Sequence, residues 1–137
     1  MRVFLDTNVL VSAFMARGLS AEVLQTVLAE HDLVLGERVV GELRRILKQK
    51  MRVHERAVKE LERFLREQSV VVESSGEPPI TVRDPADSRV LAEAIAGRVD
   101  VLVTGNKDLL QIASRAPMAV LTPRGFWNLL RTERARG

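Results

Sequence analysis

The chain of 137 residues has no cysteine and no tyrosine, only one tryptophan, and only two histidines, His31 and His54. Without cysteine there is no disulfide framework, no zinc–thiolate site and no thiol nucleophile. Two histidines are too few for a histidine-based metal site, so metal chemistry would have to come from oxygen ligands. No apolar run is long enough to cross a bilayer. The start, MRVFLDTN, reaches an acid after a few apolar residues, which is not the core of a signal peptide. A cytoplasmic protein without membrane association is therefore expected. There is no G-x-x-x-x-G-K-[ST] phosphate loop and no G-x-S-x-G nucleophile elbow. No internal repeat or low-complexity tract is present. With 46% hydrophobic residues the chain can bury a real core, so disorder is excluded and one domain over 1–137 is expected.

The charged residues carry more information. Lys and Arg number 21 against 18 Asp and Glu, for a net charge of +3 and a pI near 9.9. That balance agrees with a polyanionic partner but is common among soluble proteins. More telling are four acids that each stand where a strand ends or a helix starts: Asp6 in VFLDTNVLVSAF, Glu42 in ERVVGELRRIL, Asp87 in RDPADSRVLAEA and Asp108 in VLVTGNKDLL. An apolar strand running into an aspartate puts the carboxylate at the strand's carboxyl end, which is where open parallel sheets bind ligands. Clustered carboxylates repel one another unless a cation sits among them, and hard oxygen ligands select Mg²⁺ or Mn²⁺.

Hydrophobic periodicity gives alternating strands and helices. Strands are expected at 2–5, 33–35, 69–72, 101–103 and 119–121. Helices are expected at 8–15, from a Ser20 N-cap to about 31, at 39–50 paired with 54–68, at 87–96 stopped by Gly97, at 109–113, and from Pro123 onward. In the helical pair, Val40, Leu43, Ile46 and Leu47, then Val58, Leu61, Phe64 and Leu65, recur at three- and four-residue steps. The stretch 74–79, SSGEPP, reads as a loop leading to the Asp84-Pro85 turn. This alternation implies an α/β fold, a parallel sheet covered by helices on both faces.

Each motif has a plainer explanation. Asp6-Thr7-Asn8 can be an N-cap, although a cap needs one polar residue and three stand in a row. Glu42 has i, i+3 spacing to Arg45, and taken alone it is an exposed helix position. Asp84 and Asp87 frame a turn and a helix start, with Asp87 the better cap. Thr104-Gly105-Asn106-Lys107-Asp108 repeats the first pattern, an apolar strand ending in a small, polar, acid-bearing turn. The NKD string hints at the base-reading motif of GTPases, which has one more residue before its Asp and requires the missing phosphate loop. The opening DTNVL is similar to the nucleophile strand of haloacid-dehalogenase phosphatases, which carry a second Asp where Asn8 stands.

Taken in order, FLDTNVLVSAF, VVGELRRIL, RDPADSRVLAEAIAG, VLVTGNKDLL and TPRGFWNLL resemble a PIN domain along nearly the whole chain, and in particular the PIN toxins of bacterial toxin–antitoxin pairs. The resemblance implies that Asp6, Glu42 and Asp87 hold one or two Mg²⁺ or Mn²⁺ ions, with a fourth ligand from the turn after Thr104. The family often has Asp where this chain has Asn106, which leaves open whether Asn106 or Asp108 completes the set or Asn106 only orients a water. Thr7, Asn8 and Thr104 would hold carboxylates or waters by hydrogen bonds, with Asp84 in an outer role. The implied activity is hydrolysis of RNA by a metal-activated water, with an antitoxin protein and a second copy of the chain as partners. Phosphate grips would come from Lys107 and from Arg44, Arg45, Lys48, Lys50 and Arg52, although a solvated helical face explains most of these. A PIN-like module that binds RNA or protein without cutting is the alternative.

Overall fold

Four of the five strands are built on short runs of Val and Leu, and the fifth is AVL; all pair in parallel into one sheet. In the computed structural model, which describes residues 1–74 and 76–136, the strands are β1 (Arg2–Leu5), β2 (Asp32–Gly36), β3 (Ser69–Val72), β4 (Val101–Val103) and β5 (Ala119–Leu121). Ser75, within the expected loop, and Gly137 lie outside the described residues. Seven α-helices connect and follow the strands: α1 (Thr7–Met15), α2 (Leu19–Glu30), α3 (Glu37–Arg45), α4 (Glu55–Gln68), α5 (Pro85–Ala96), α6 (Lys107–Gln111) and α7 (Pro123–Arg136). The strand order is β3-β2-β1-β4-β5. Phe4 is flanked by Val34 on one side and Leu102 on the other.

The central strand β1 and its neighbour β4 are buried on both faces: Val3, Phe4, Leu5, Leu102 and Val103 have no exposed surface. Only a sheet sandwiched between helix layers leaves both alternating faces dry, so the architecture is three-layered, α/β/α. Each such side chain contributes roughly 1.5–3 kcal/mol on burial. Leu43, Leu47, Val58 and Leu65 join the same core from the α3–α4 side, as their periodicity predicts. Phe64 does not: it is 42% exposed on the outer face of α4. Among the described residues no helix is long and apolar enough to cross a membrane.

Several expected boundaries move, each for a local reason. Gly18, rather than Ser20, caps α2, because the Gly18 carbonyl already accepts the first helical bond from the Glu22 amide at 3.1 Å. The helix expected over 39–50 starts at Glu37 and changes pitch after Arg45 into a π-helical segment, Ile46–Lys50, whose Met51 amide reaches the Ile46 carbonyl. Asp84 caps α5 and Asp87 does not. Pro85 occupies the first helical position, where its missing N–H costs nothing, so the residue before it must be the cap. Asp87 is left at the third helical position with its side chain available. The short helix α6 begins two residues earlier than expected, capped by Asn106. His31 and His54 both sit at helix ends, the latter accepting from the Arg56 amide at 3.1 Å.

Candidate active site

Strand order reverses between β1 and β4, and the crevice outside the carboxyl ends of those two strands is the topological switch point of this sheet. Asp6 comes directly after the last residue of β1, and Thr104 directly after the last residue of β4. Both are buried, Asp6 5% exposed and Thr104 not at all. Thr104 Oγ1 donates to Asp6 Oδ2 at 2.7 Å across 98 residues of sequence. Asp6 Oδ1 accepts from the Thr7 amide at 2.8 Å, and Oδ2 also accepts from Asn8 Nδ2 at 3.2 Å. Asn8 in turn accepts from the Gly105 amide at 2.9 Å, closing the β1 turn onto the β4 turn. Asp6 therefore caps α1 and also anchors a polar cluster, so the plainer explanation and the functional one coexist in one side chain.

Two further acids join through side-chain hydrogen bonds. Thr7 Oγ1 donates to Glu42 Oε2 at 3.3 Å. Asn106 donates from Nδ2 to Asp87 Oδ1 at 2.9 Å, while its Oδ1 accepts from the Asp108 amide at 2.8 Å and its own amide donates to Thr104 Oγ1 at 3.0 Å. These partners fix how the Asn106 amide points: the nitrogen must face the carboxylate and the oxygen must face the N–H. Asn106 thus braces Asp87 and caps α6, with its oxygen turned away from the acids. A continuous chain of polar contacts runs from Glu42 through Thr7, Asp6, Thr104 and Asn106 to Asp87.

The electrostatics match this grouping. Burial pushes the Asp6 carboxyl above its ordinary range, against hydrogen bonds from Thr104, Thr7 and Asn8, and the Glu42 charge pushes it further. Burial likewise raises Asp87, with Asn106 opposing and the charges of Asp84, Asp6 and Asp108 adding to the rise. Asp84 is engaged as the α5 cap, its Oδ1 accepting from the Ala86 amide at 2.9 Å. Glu42 is largely exposed and faces Arg45 at 4.0 Å, the pairing its spacing foretold. Among the described residues no three acid or histidine side chains form a ready ligand set for one ion.

The expected phosphate grips divide sharply. Arg44 is held by Glu62 at 2.7 and 3.0 Å, and Lys48 lies 3.5 Å from Glu55, so these charges are already answered within the chain. Lys50 ends the π-helical segment that follows α3, and Arg52 lies in the coil beyond it, eight and ten residues past Glu42. Lys107, exposed beside Asn106, stays at the crevice. Sequence reasoning passed over Arg38, Arg83 and Arg124, exposed residues just after β2, just before the α5 cap and just after β5, on the same edge of the sheet. It also passed over Glu93, which is buried on α5. The cations carry the same signal as the acids, a charged residue close behind a strand or at a helix start.

The PIN domain family profile matches residues 2–108. The chain belongs to the PIN domain family. This PIN chain is also similar in structure to VapBC-1 from nontypeable Haemophilus influenzae, with 18% identity, 90% of this chain and 99% of that chain covered, and a TM-score of 0.62. FitAcB from Neisseria gonorrhoeae is 20% identical, with 88% and 97% covered and a TM-score of 0.59. VapBC2 from Rickettsia felis, solved bound to a DNA fragment from their promoter, is 15% identical over 88% and 97%, with a TM-score of 0.58. At such identities the likeness is one of fold. No curated protein sequence matches the PIN chain.

Proposed function

We propose that this PIN chain is a divalent-metal-dependent endoribonuclease, a single functional unit over 1–137, acting in the cytoplasm as the toxin of a toxin–antitoxin pair and assembling as a homodimer. The observation that carries the reading is the juxtaposition of Asp6 and Asp87, two carboxyls raised by burial and by neighbouring acids at the switch point of the sheet. Like charges gathered there are relieved by a cation, and an all-oxygen donor set fits Mg²⁺ or Mn²⁺. Asp6, Glu42, Asp87 and Asp108 would hold the ion. When bound, it supplies a water acidified for attack on the phosphodiester and neutralises charge on the leaving oxygen.

The chain's own residues do the rest. Thr104 and Asn8 fix the Asp6 carboxylate, Thr7 steers Glu42, and Asn106 aligns Asp87. Lys107, with Arg38, Arg83 and Arg124 along the same edge, takes the substrate's phosphates. The antitoxin reading is supported by the family resemblance to PIN toxins and by the VapBC and FitAB complexes among the structures of like fold.

One observation favours the alternative, a PIN module that binds RNA or protein without cutting: Asn106 donates to Asp87 where the family often has an acid, leaving the site a charge short. Purified protein decides between them. Cleavage of single-stranded RNA with Mn²⁺ or Mg²⁺, lost in EDTA and lost in folded Asp87→Asn, supports the nuclease. Binding of the same RNA without cleavage at any metal concentration supports the silent module.

A further inference from the structure

Glu93 has the least exposed surface of the acids among the described residues, 1%, and it lies on a face of α5 that otherwise presents Val90, Leu91 and Ala94 to the core. A carboxylate in such a place requires donors of its own. It finds them at the start of a different helix. Glu93 Oε1 accepts from the Arg38 amide at 3.2 Å, at the first turn of α3. Burial raises the Glu93 carboxyl, and the amides of Arg38 and Glu37 hold it back down. Helix α3 has no cap from its own sequence: the cap position is Gly36, with no side chain to bond. Gly36 is required by the same arrangement, because a Cβ there would collide with Glu93 Oε1 and lie 2.6 Å from its Cδ. The space a local cap would fill is taken by a carboxylate from across the fold.

We propose that Glu93 is a positioning residue which, by capping α3 from α5, fixes Glu42 relative to Asp87. The two helices it joins are the ones that carry those acids: Glu42 is the sixth residue of α3, and Asp87 is six residues before Glu93 on α5. The proposal rests on reading Glu42 and Asp87 as partners in one metal centre. The amide dipoles at the α3 start favour negative charge, and that is the charge the Glu93 carboxylate brings to them.

Three variants test it: Glu93→Gln, Glu93→Ala, and Glu93→Ala combined with Gly36→Asn. Two readouts are taken, hydrogen exchange at the Arg38, Val39 and Val40 amides in metal-free protein, and Mn²⁺ affinity by calorimetric titration. Glu93→Gln keeps an acceptor oxygen and should stay close to the parent in both. Glu93→Ala should speed exchange in the first turn of α3 about tenfold and weaken Mn²⁺ binding roughly 10–100-fold. In the double variant the Asn supplies a local cap. Of the three atoms nearest its Cβ, only the Cβ of residue 93 remains, at 3.0 Å, which a small shift relieves, and both readouts should return toward the parent. Unchanged exchange in Glu93→Ala would refute the cap. Faster exchange with unchanged Mn²⁺ affinity would leave a cap that positions nothing and overturn the proposal. A parent that binds no Mn²⁺ would refute the metal-centre reading and with it the positioning role, while exchange would still decide the cap.

Discussion

Replacing Thr104 by Val removes one hydroxyl and keeps the β-branched shape in a site with no exposed surface. Two bonds go with it: the 2.7 Å donation to the Asp6 carboxylate and the 3.0 Å acceptance from the Asn106 amide. A hydrogen bond to a charged group contributes roughly 1.5–3 kcal/mol and a neutral one roughly 0.5–1.5, so the loss is about 2–4 kcal/mol. For a chain of this size that lowers the melting temperature by about 6–14 °C. The sign with pH comes from Asp6. Its folded-state pKa is already raised, so its contribution is present below its ordinary value of 3.8 and is lost as pH rises through the folded value. Loss of Thr104, the largest influence holding that pKa down, raises it further. The gap between Thr104→Val and the parent should therefore shrink near pH 3.5 toward the share lost with the Asn106 amide bond, roughly 0.5–1.5 kcal/mol, and widen toward pH 7. Thermal melts of the parent, Thr104→Val and Thr104→Ser across that range measure it, with Ser retaining the hydroxyl as the control. If the Val and Ser variants melt within about 2 °C of each other at pH 7, the hydroxyl does not bear on Asp6 and the site is held together in some other way.

Asp87→Asn removes a carboxylate raised by burial and by Asp84, Asp6 and Asp108, while its remaining oxygen still accepts from Asn106. It should melt a few degrees higher than the parent without metal at pH 7, lose that advantage as pH falls to the ordinary range of the acid, and show no gain with Mg²⁺; scanning calorimetry checks all three. In the α6 turn, Asn106→Ala should cost about 1 kcal/mol through the lost cap yet retain more metal affinity than Asp108→Asn. Asn106→Asp should lower metal-free stability by setting an acceptor against Asp87 Oδ1 and raise metal affinity, all by titration of Mn²⁺. Glu62 is held down to about 2 by Arg44 and Arg66. Its contribution is present above its ordinary 4.5 and disappears as pH falls toward 2. Acid unfolding of Glu62→Gln should thus merge with the parent's at the low end and differ at neutral pH by about 1 kcal/mol or less per pair.

The strands were legible less from apolar triplets than from what bounds them: VLV forms β4 at Val101–Val103, where Thr104-Gly105 closes it, yet the same triplet at Val9–Val11 continues at helical spacing through Phe14 and lies in α1. Asp6 stood out as a candidate because it directly follows a strand, and Asp87 and Asp108 because they fall in the first turn of a helix; Glu42, the sixth residue of α3, had no such signal of position. What could not be read was direction and partnership. Nothing in RDPADS distinguishes the capping Asp from the free one until Pro85 is weighed, since proline at the first helical position assigns the cap to Asp84. The Asn106 amide orientation depends on Asp87 and on the Asp108 amide together. Glu93 was illegible for a deeper reason. In LAEAIAG it reads as a solvated helix position, and only the bare Gly36, 57 residues earlier, shows what the carboxylate is for.

Asp6 and Thr104 meet across 98 residues, and that separation sets a time as well as a place. At synthesis rates of about 5–20 residues per second, roughly 5–20 s pass between the emergence of the first and the second. Throughout that interval the nascent chain holds Asp6, Glu42 and then Asp87, but β1 lacks its β4 neighbour and the Asp6 carboxylate lacks its strongest donor. A product ending before residue 104 would carry three of the four acids and no assembled site. The fold therefore keeps the site incomplete until Thr104 has been made and β4 can pair with β1.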